Sequence, residues 1–189
     1  MVLKIFTDLN MLNEKKIKEA QSNVKNYLEE GLIKKATNET AKKMYVENSN
    51  LSLETGKKLL ELESAEYKPY LWVIVTSYYS MYYISNAVLL EFGYKVGEQI
   101  SHKVTADALI TYVRDKLKKE LIEDYEEIKE DALELISSKV DTLLQSFDFE
   151  REKRSKFQYK MDEEVRRGKA ITSLERAKIF TFEMKKLLP

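Results

Sequence analysis

The sequence predicts an all-α protein, an up-and-down bundle of four to five helices preceded by an N-terminal helical extension. Three observations carry that expectation. Glycine and proline are scarce, 5 and 2 in 189 residues, where average usage gives roughly thirteen and nine. Hairpins and phosphate-cradling loops draw on glycine for positive-φ positions, so an all-β fold is disfavoured. Apolar residues recur at helical spacing over long stretches. Neither G-x-x-x-x-G-K-S/T nor G-x-G-x-x-G occurs, which removes the two commonest nucleotide-loop signatures.

The first helix is expected from Asn13 to Glu30, with Ile17, Ala20, Val24 and Leu28 as its apolar stripe and Gly31 as its stop. A second is expected over Asn38–Leu62, carrying Ala41, Met44, Tyr45, Leu51, Leu59 and Leu62. Its polar middle, Glu47-Asn-Ser-Asn50, and Gly56 suggest a break. Pro69 suits the first turn of a third helix, which Phe92-Gly93 ends with a C′ glycine. The segment Gly93–Ile100 reads as a loop, and Ser101 as the N-cap of a helix through about Lys118.

The cleanest helical pattern runs over Leu121–Phe147, through Leu121, Tyr125, Ile128, Ala132, Leu135, Ile136, Val140, Leu143, Leu144 and Phe147. Glu120–Glu134 holds eight carboxylates and one lysine, which reads as a solvated face. A last helix is expected over Asp162–Leu188, presenting Val165, Ile171, Leu174, Ala177, Phe180, Met184 and Leu187. Residues 1–39 form the expected extension and residues 40–189 the bundle.

Composition excludes several kinds of chemistry. Thirty-two basic residues balance thirty-two acidic ones, so net charge names no partner. With no cysteine, disulfides, thiolate nucleophiles and cysteine-ligated metals are ruled out. The only histidine, His102, rules out H-E-x-x-H and His-rich metal sites. Met1–Leu12 has no signal-peptide pattern. Tyr70–Leu90, 21 residues without a charge, is long enough to span a bilayer. Four of its tyrosines, Tyr78, Tyr79, Tyr82 and Tyr83, sit in the middle rather than at the interfaces that tyrosine favours. The segment therefore reads as a buried helix of a cytoplasmic protein with no membrane association.

After Phe147 the charge changes sign: Glu150–Lys160, EREKRSKFQYK, carries five basic residues and two acidic ones. Three pieces then follow one another in order. They are Ser77-Tyr-Tyr-Ser-Met-Tyr-Tyr83 with Val88-Leu-Leu-Glu-Phe-Gly93, Ser101-His-Lys103 opening a helix, and a long helix leading into Arg154-Ser-Lys-Phe-Gln-Tyr159. Over roughly Thr40–Pro189 this order resembles the HEPN domain (higher eukaryotes and prokaryotes nucleotide-binding), particularly its small prokaryotic and archaeal branch.

The resemblance implies a helical bundle that dimerises. In catalytic members an R-x4–6-H motif from each subunit meets at the dimer interface and cleaves RNA without metal. There an arginine neutralises phosphate bidentately and a histidine moves the proton. Other members only bind RNA or nucleotides, and some pair with a minimal nucleotidyltransferase as toxin and antitoxin.

This chain departs from the catalytic pattern. Taking Arg154 as the motif arginine puts Tyr159 where the histidine belongs, and no histidine follows it. Tyrosine titrates near pH 10, so it is a poor general base at neutrality. The residue after the arginine is Ser155, where the family favours asparagine or aspartate.

The expected function is therefore a homodimeric module that binds RNA or a nucleotide through Arg154, Arg151, Lys156, Ser155 and Tyr159, without efficient catalysis, cofactor or metal. The alternatives are a metal-independent, toxin-like endoribonuclease using Arg154 and Tyr159, and an interaction module for a nucleotidyltransferase partner. His102, at a helix start, reads as a neutral histidine held by local hydrogen bonds.

Overall fold

The computed structural model describes residues 12–145 and 155–189, and the side chains of 12–137 and 166–189. Six α-helices and one two-stranded ribbon make up the described chain. The all-helical bundle expected from the sequence is what forms.

Helix α1 (Glu14–Glu29) starts where the Asn13 side chain accepts the Lys16 N–H at 2.9 Å, and it gives way at Gly31, whose φ of 74° suits glycine. Strand β1 (Ile33–Lys35) follows. Helix α2 (Glu39–Glu61) is capped in the same way, the Asn38 side chain accepting the Ala41 N–H at 2.8 Å. Helix α3 (Tyr70–Glu91) ends at Gly93, φ 84°, and strand β2 (Tyr94–Val96) follows it. The two helix–glycine–strand units bring β1 and β2 together antiparallel, Ile33 opposite Val96 and Lys34 opposite Lys95. The segment expected as a loop after Gly93 thus contains a strand. Three residues are too few to show a period of two.

Helix α3 lies at the centre, packed against α2, the ribbon and the later helices. Fifteen of its 22 residues are buried, which explains a pattern apolar on every side. Two of its polar side chains are satisfied within the helix, Ser85 donating to the Met81 carbonyl and Thr76 to that of Trp72, both at 2.7 Å, whereas the buried hydroxyls of Ser77 and Ser80 have no hydrogen-bond partner among the described residues. No helix among the described residues is long and apolar enough to cross a membrane.

Helix α2 runs unbroken, against the expected interruption. Its polar middle is a contact surface: Ser49 is fully buried and donates to the Ser80 carbonyl at 2.8 Å. Gly56 is buried because a Cβ there would lie 2.9 Å from Thr76 Oγ1 and 3.3 Å from Leu174 Cδ1. Small residues let α2 approach α3 closely, and Met44, Leu51 and Leu62 of the expected stripe are exposed instead.

Helix α4 (Ser101–Ala108) begins after Ile100, which holds a left-handed φ of 43°, so Ser101 is the first helical residue rather than the cap. The expected single helix to Lys118 instead widens into a π turn at Leu109–Val113 and tightens into a 3₁₀ turn at Arg114–Lys116. The run Ile110-Thr111-Tyr112-Val113 is rich in β-branched residues, which weaken the α form. Here Leu109, Ile110 and Val113 enter the core while Tyr112 stacks on Tyr94, ring centroids 3.8 Å apart.

Helix α5 (Lys119–Gln145) buries Leu121, Ile122, Tyr125, Ile128 and Ala132, in line with its spacing. Its acidic side is not simply solvated. Glu126 is buried between Lys16, at 3.0 Å, and Lys129, at 2.9 Å. Helix α6 (Ser155–Lys185) answers with Arg176 on Asp124 (3.0 Å) and Glu127 (2.8 Å), and Lys169 on Asp131 (2.6 Å). It is already helical at Ser155, seven residues before the expected start at Asp162. Ala20, Val24, Tyr27 and Ile33, from the expected extension, are buried in the same core as the bundle.

Candidate functional site

Two of the sequence-predicted site residues, Arg151 and Arg154, lie outside the described residues. Ser155, Lys156 and Tyr159 fall on the first turns of α6, with side chains outside the described set. Helix α6 packs against α3.

His102, expected from the sequence as a neutral histidine held by local hydrogen bonds, lies on a bed of tyrosines. Its ring lies 5.5, 5.9 and 4.7 Å from those of Tyr78, Tyr79 and Tyr82. The Tyr78 hydroxyl is 2.6 Å from Nδ1. Burial pushes the Tyr78 hydroxyl far up from its ordinary value, so it keeps its proton and can donate to Nδ1. Burial, followed by the nearby Lys129 ammonium, pushes His102 down, which keeps the imidazole neutral. The partner that holds it is therefore on α3, far along the chain, rather than local. One turn further, Thr105 and Asn86 extend the docking of α4 onto α3 with side-chain contacts of 3.3 and 3.4 Å. Beneath them Tyr125 places its ring 6.0 Å from that of Tyr78; its buried hydroxyl feels Tyr78 electrostatically but makes no hydrogen bond of acceptable geometry.

Tyr82 also faces outward, into a cleft of about 820 Å³ bounded by the ribbon, α2, α3 and the loop before α4. Tyr45 of α2 forms the opposite aromatic wall and stacks on Tyr83 with centroids 6.2 Å apart. The cleft also takes in Lys34 and Lys95, the directly opposed pair on the outer face of the ribbon. Glu98 lies near enough to Tyr45 to help raise the tyrosine's pKa, although burial is the main cause. Gly97 closes the ribbon by donating its N–H to the Leu32 carbonyl at 2.8 Å; a Cβ there would sit 3.2 Å from that oxygen. The strained Ile100 ends the loop, directly before the Ser101-His102 pair.

Sequence inspection assigned Tyr45 to a packing stripe and passed over Lys34 and Lys95. The signal was present in the two glycine-terminated helices, each followed by a short extended run containing lysine. Recognising the cleft required knowing that those runs pair. Among the described residues no cluster of three or more histidine, aspartate or glutamate side chains is arranged to hold a metal. The arrangement suits binding: aromatic faces held in place, with cations and carboxylates at the rim.

No family model, curated protein or solved structure matches this chain.

Proposed function

We propose that this chain is a HEPN-like module that binds RNA or a nucleotide as a homodimer through Arg154, with Arg151, Lys156, Ser155 and Tyr159 around it, and without efficient catalysis. The observation that supports this best is the joining of two of the three resembling sequence pieces into one centre. Tyr78 of the tyrosine-rich helix holds His102 of the Ser101-His-Lys103 helix at 2.6 Å. The third piece leads into α6, which packs on the same α3. On this reading the Arg154 guanidinium, doubled across a two-fold axis, supplies a bidentate phosphate receptor at zero net charge.

The test is binding of a short single-stranded RNA by fluorescence anisotropy across a salt series, together with sedimentation to establish the dimer. Affinity is expected to fall steeply with salt, and Arg154→Ala to weaken it about tenfold or more. Equal binding by wild type and variant, or none by either, overturns the proposal. Cleavage in EDTA leaving a cyclic phosphate would favour the endoribonuclease alternative. Reproducible co-purification with a nucleotidyltransferase would favour the interaction module.

A further inference from the structure

We propose that the cleft between the ribbon, α2 and α3 is a separate binding site for a nucleoside monophosphate. The base lies against Tyr45 and Tyr82, and the phosphate is held by Lys34 and Lys95. This goes beyond the proposed function, because none of these residues belongs to the Arg154 group.

The lysines carry the argument furthest. Lys34 and Lys95 are register partners on an antiparallel ribbon, so their side chains leave the same face side by side. Like charges directly opposite one another destabilise a strand pair. Neither ribbon lysine has an ion-pair partner among the described residues. Both line a concave surface. A phosphate monoester, carrying up to two negative charges, removes that repulsion.

The remaining lining supplies the rest of a nucleotide's recognition. Tyr82 is fixed from behind by His102 at 4.7 Å, and Tyr45 by Tyr83 at 6.2 Å, so the rings present faces that need not be ordered on binding. Asn48 and Gln99 bring amides that donate and accept, as base edges require. Glu30 and Glu98 accept hydrogen bonds from a ribose diol. Its volume of about 820 Å³ is within the size of small-ligand sites, which run from roughly 300 to 1,000 Å³.

The experiment is calorimetric titration of the full chain with AMP, adenosine and inorganic phosphate. The variants are Lys34→Gln/Lys95→Gln, Tyr45→Leu and Arg154→Ala, each first checked for wild-type helical circular dichroism and thermal midpoint. Lys34 and Lys95 are exposed, so their replacement is expected to leave the fold intact. AMP is expected to bind more tightly than adenosine or phosphate alone. The double lysine variant should lose about tenfold or more for AMP while keeping wild-type affinity for adenosine and for RNA. Tyr45→Leu should weaken AMP and adenosine together, and the AMP binding that remains in Arg154→Ala should still be lost when Lys34→Gln/Lys95→Gln is added. Failure of AMP, GMP, CMP and UMP to bind at millimolar concentration overturns the proposal. So does phosphate binding as tightly as AMP, or AMP affinity lost in Arg154→Ala and retained in the lysine variant. Loss of RNA binding with AMP binding intact would instead remove only the function proposed for Arg154.

Discussion

Along one side of α3, helix α2 comes so close that position 56 has no room for a Cβ, and the contact is made by glycine, serine and threonine. On α5 the polar contacts to α1 and α6 run through carboxylates and ammonium or guanidinium groups, beside the Tyr125–Phe180 stack, with Glu126 buried between Lys16 and Lys129. Both seams bury polar atoms, but by different physics. The first depends on distance and tolerates neither bulk nor cavity. The second depends on protonation state and partner, and the desolvation of each ion offsets much of the attraction. Around Gly56 and Ser49 the α2–α3 seam should therefore respond to volume and ignore pH, the Lys42–Glu91 ion pair at its other end apart, and the ion pairs of α5 should do the reverse.

The largest expected effect tests the close seam. Gly56→Val should cost about 3 kcal/mol in urea denaturation, the upper end of ordinary overpacking, since both Cγ atoms must enter space held by Thr76 and Leu174. Gly56→Ala is the sharper probe. Alanine gains about 1 kcal/mol of helix propensity, yet its Cβ meets a threonine hydroxyl already committed to the Trp72 carbonyl. Net destabilisation is expected; a gain in stability would show that the seam has slack.

The next effect belongs to the charged seam. Glu126→Gln leaves Lys16 and Lys129 facing a neutral group and should cost about 2 kcal/mol, below the usual range for a buried pair because Lys16 remains partly solvated. Replacing all three, as Lys16→Met/Glu126→Leu/Lys129→Met, should recover most of that loss. A triple variant as weak as the single one would mean that the ions contribute more than their apolar substitutes.

The same comparison predicts a pH signature. Burial alone would raise the Glu126 carboxyl, but Lys129 and Lys16 outweigh it and leave it below its ordinary value. A depressed carboxyl contributes stability above its unfolded pKa, about 4.3, and loses it as pH falls through the folded value. Asp107, between α1 and α4, goes the other way. Burial raises it although Tyr27 and Asn23 both donate to its Oδ2, at 3.0 and 3.1 Å. Its contribution is full below the unfolded pKa and is lost as pH rises through the folded one. Asp107→Asn keeps one oxygen to accept both bonds and sheds the ionisation cost. It should be neutral or stabilising by up to about 1 kcal/mol at pH 7, opposite in sign to Glu126→Gln. Denaturation midpoints of both variants between pH 4 and 8 check this; equal pH slopes would sink it.

What could be read in the sequence follows the same division. The long period of α5, the helix starts at Asn13 and Asn38 and the glycine stops at Gly31 and Gly93 are local signals, and each appears where expected, whereas α6 begins seven residues early. The interior of α2 was misjudged because Glu47-Asn-Ser-Asn50 and Gly56 are the residues of a break and equally those of a close helix crossing; only the partner helix distinguishes them. The ribbon escaped notice because its two strands are short and lie far apart in the chain. The cleft depends on that pairing, so Lys34 and Lys95 carry no signal until they are adjacent. The chemistry expected of Arg154 was legible from residue types, whereas its surroundings depend on tertiary placement.

The smallest expected effect separates the two kinds of ion pair within the charged seam itself. Lys169 reaches Asp131 at 2.6 Å, as short as any pair on α5, yet half of the lysine side chain is in solvent. Exposure brings full screening and the entropy cost of holding a long side chain, so geometry alone overstates the contact. Lys169→Ala should change stability by no more than about 0.5 kcal/mol at low salt and by nothing measurable in 1 M NaCl, where the screening length is about 3 Å. Glu126→Gln should keep most of its effect in the same salt, because its partners are shielded from bulk ions. A Lys169→Ala loss as large and as salt-resistant as that of Glu126→Gln would mean that burial does not set the strength of these pairs, and the contrast between the seams would reduce to one of shape.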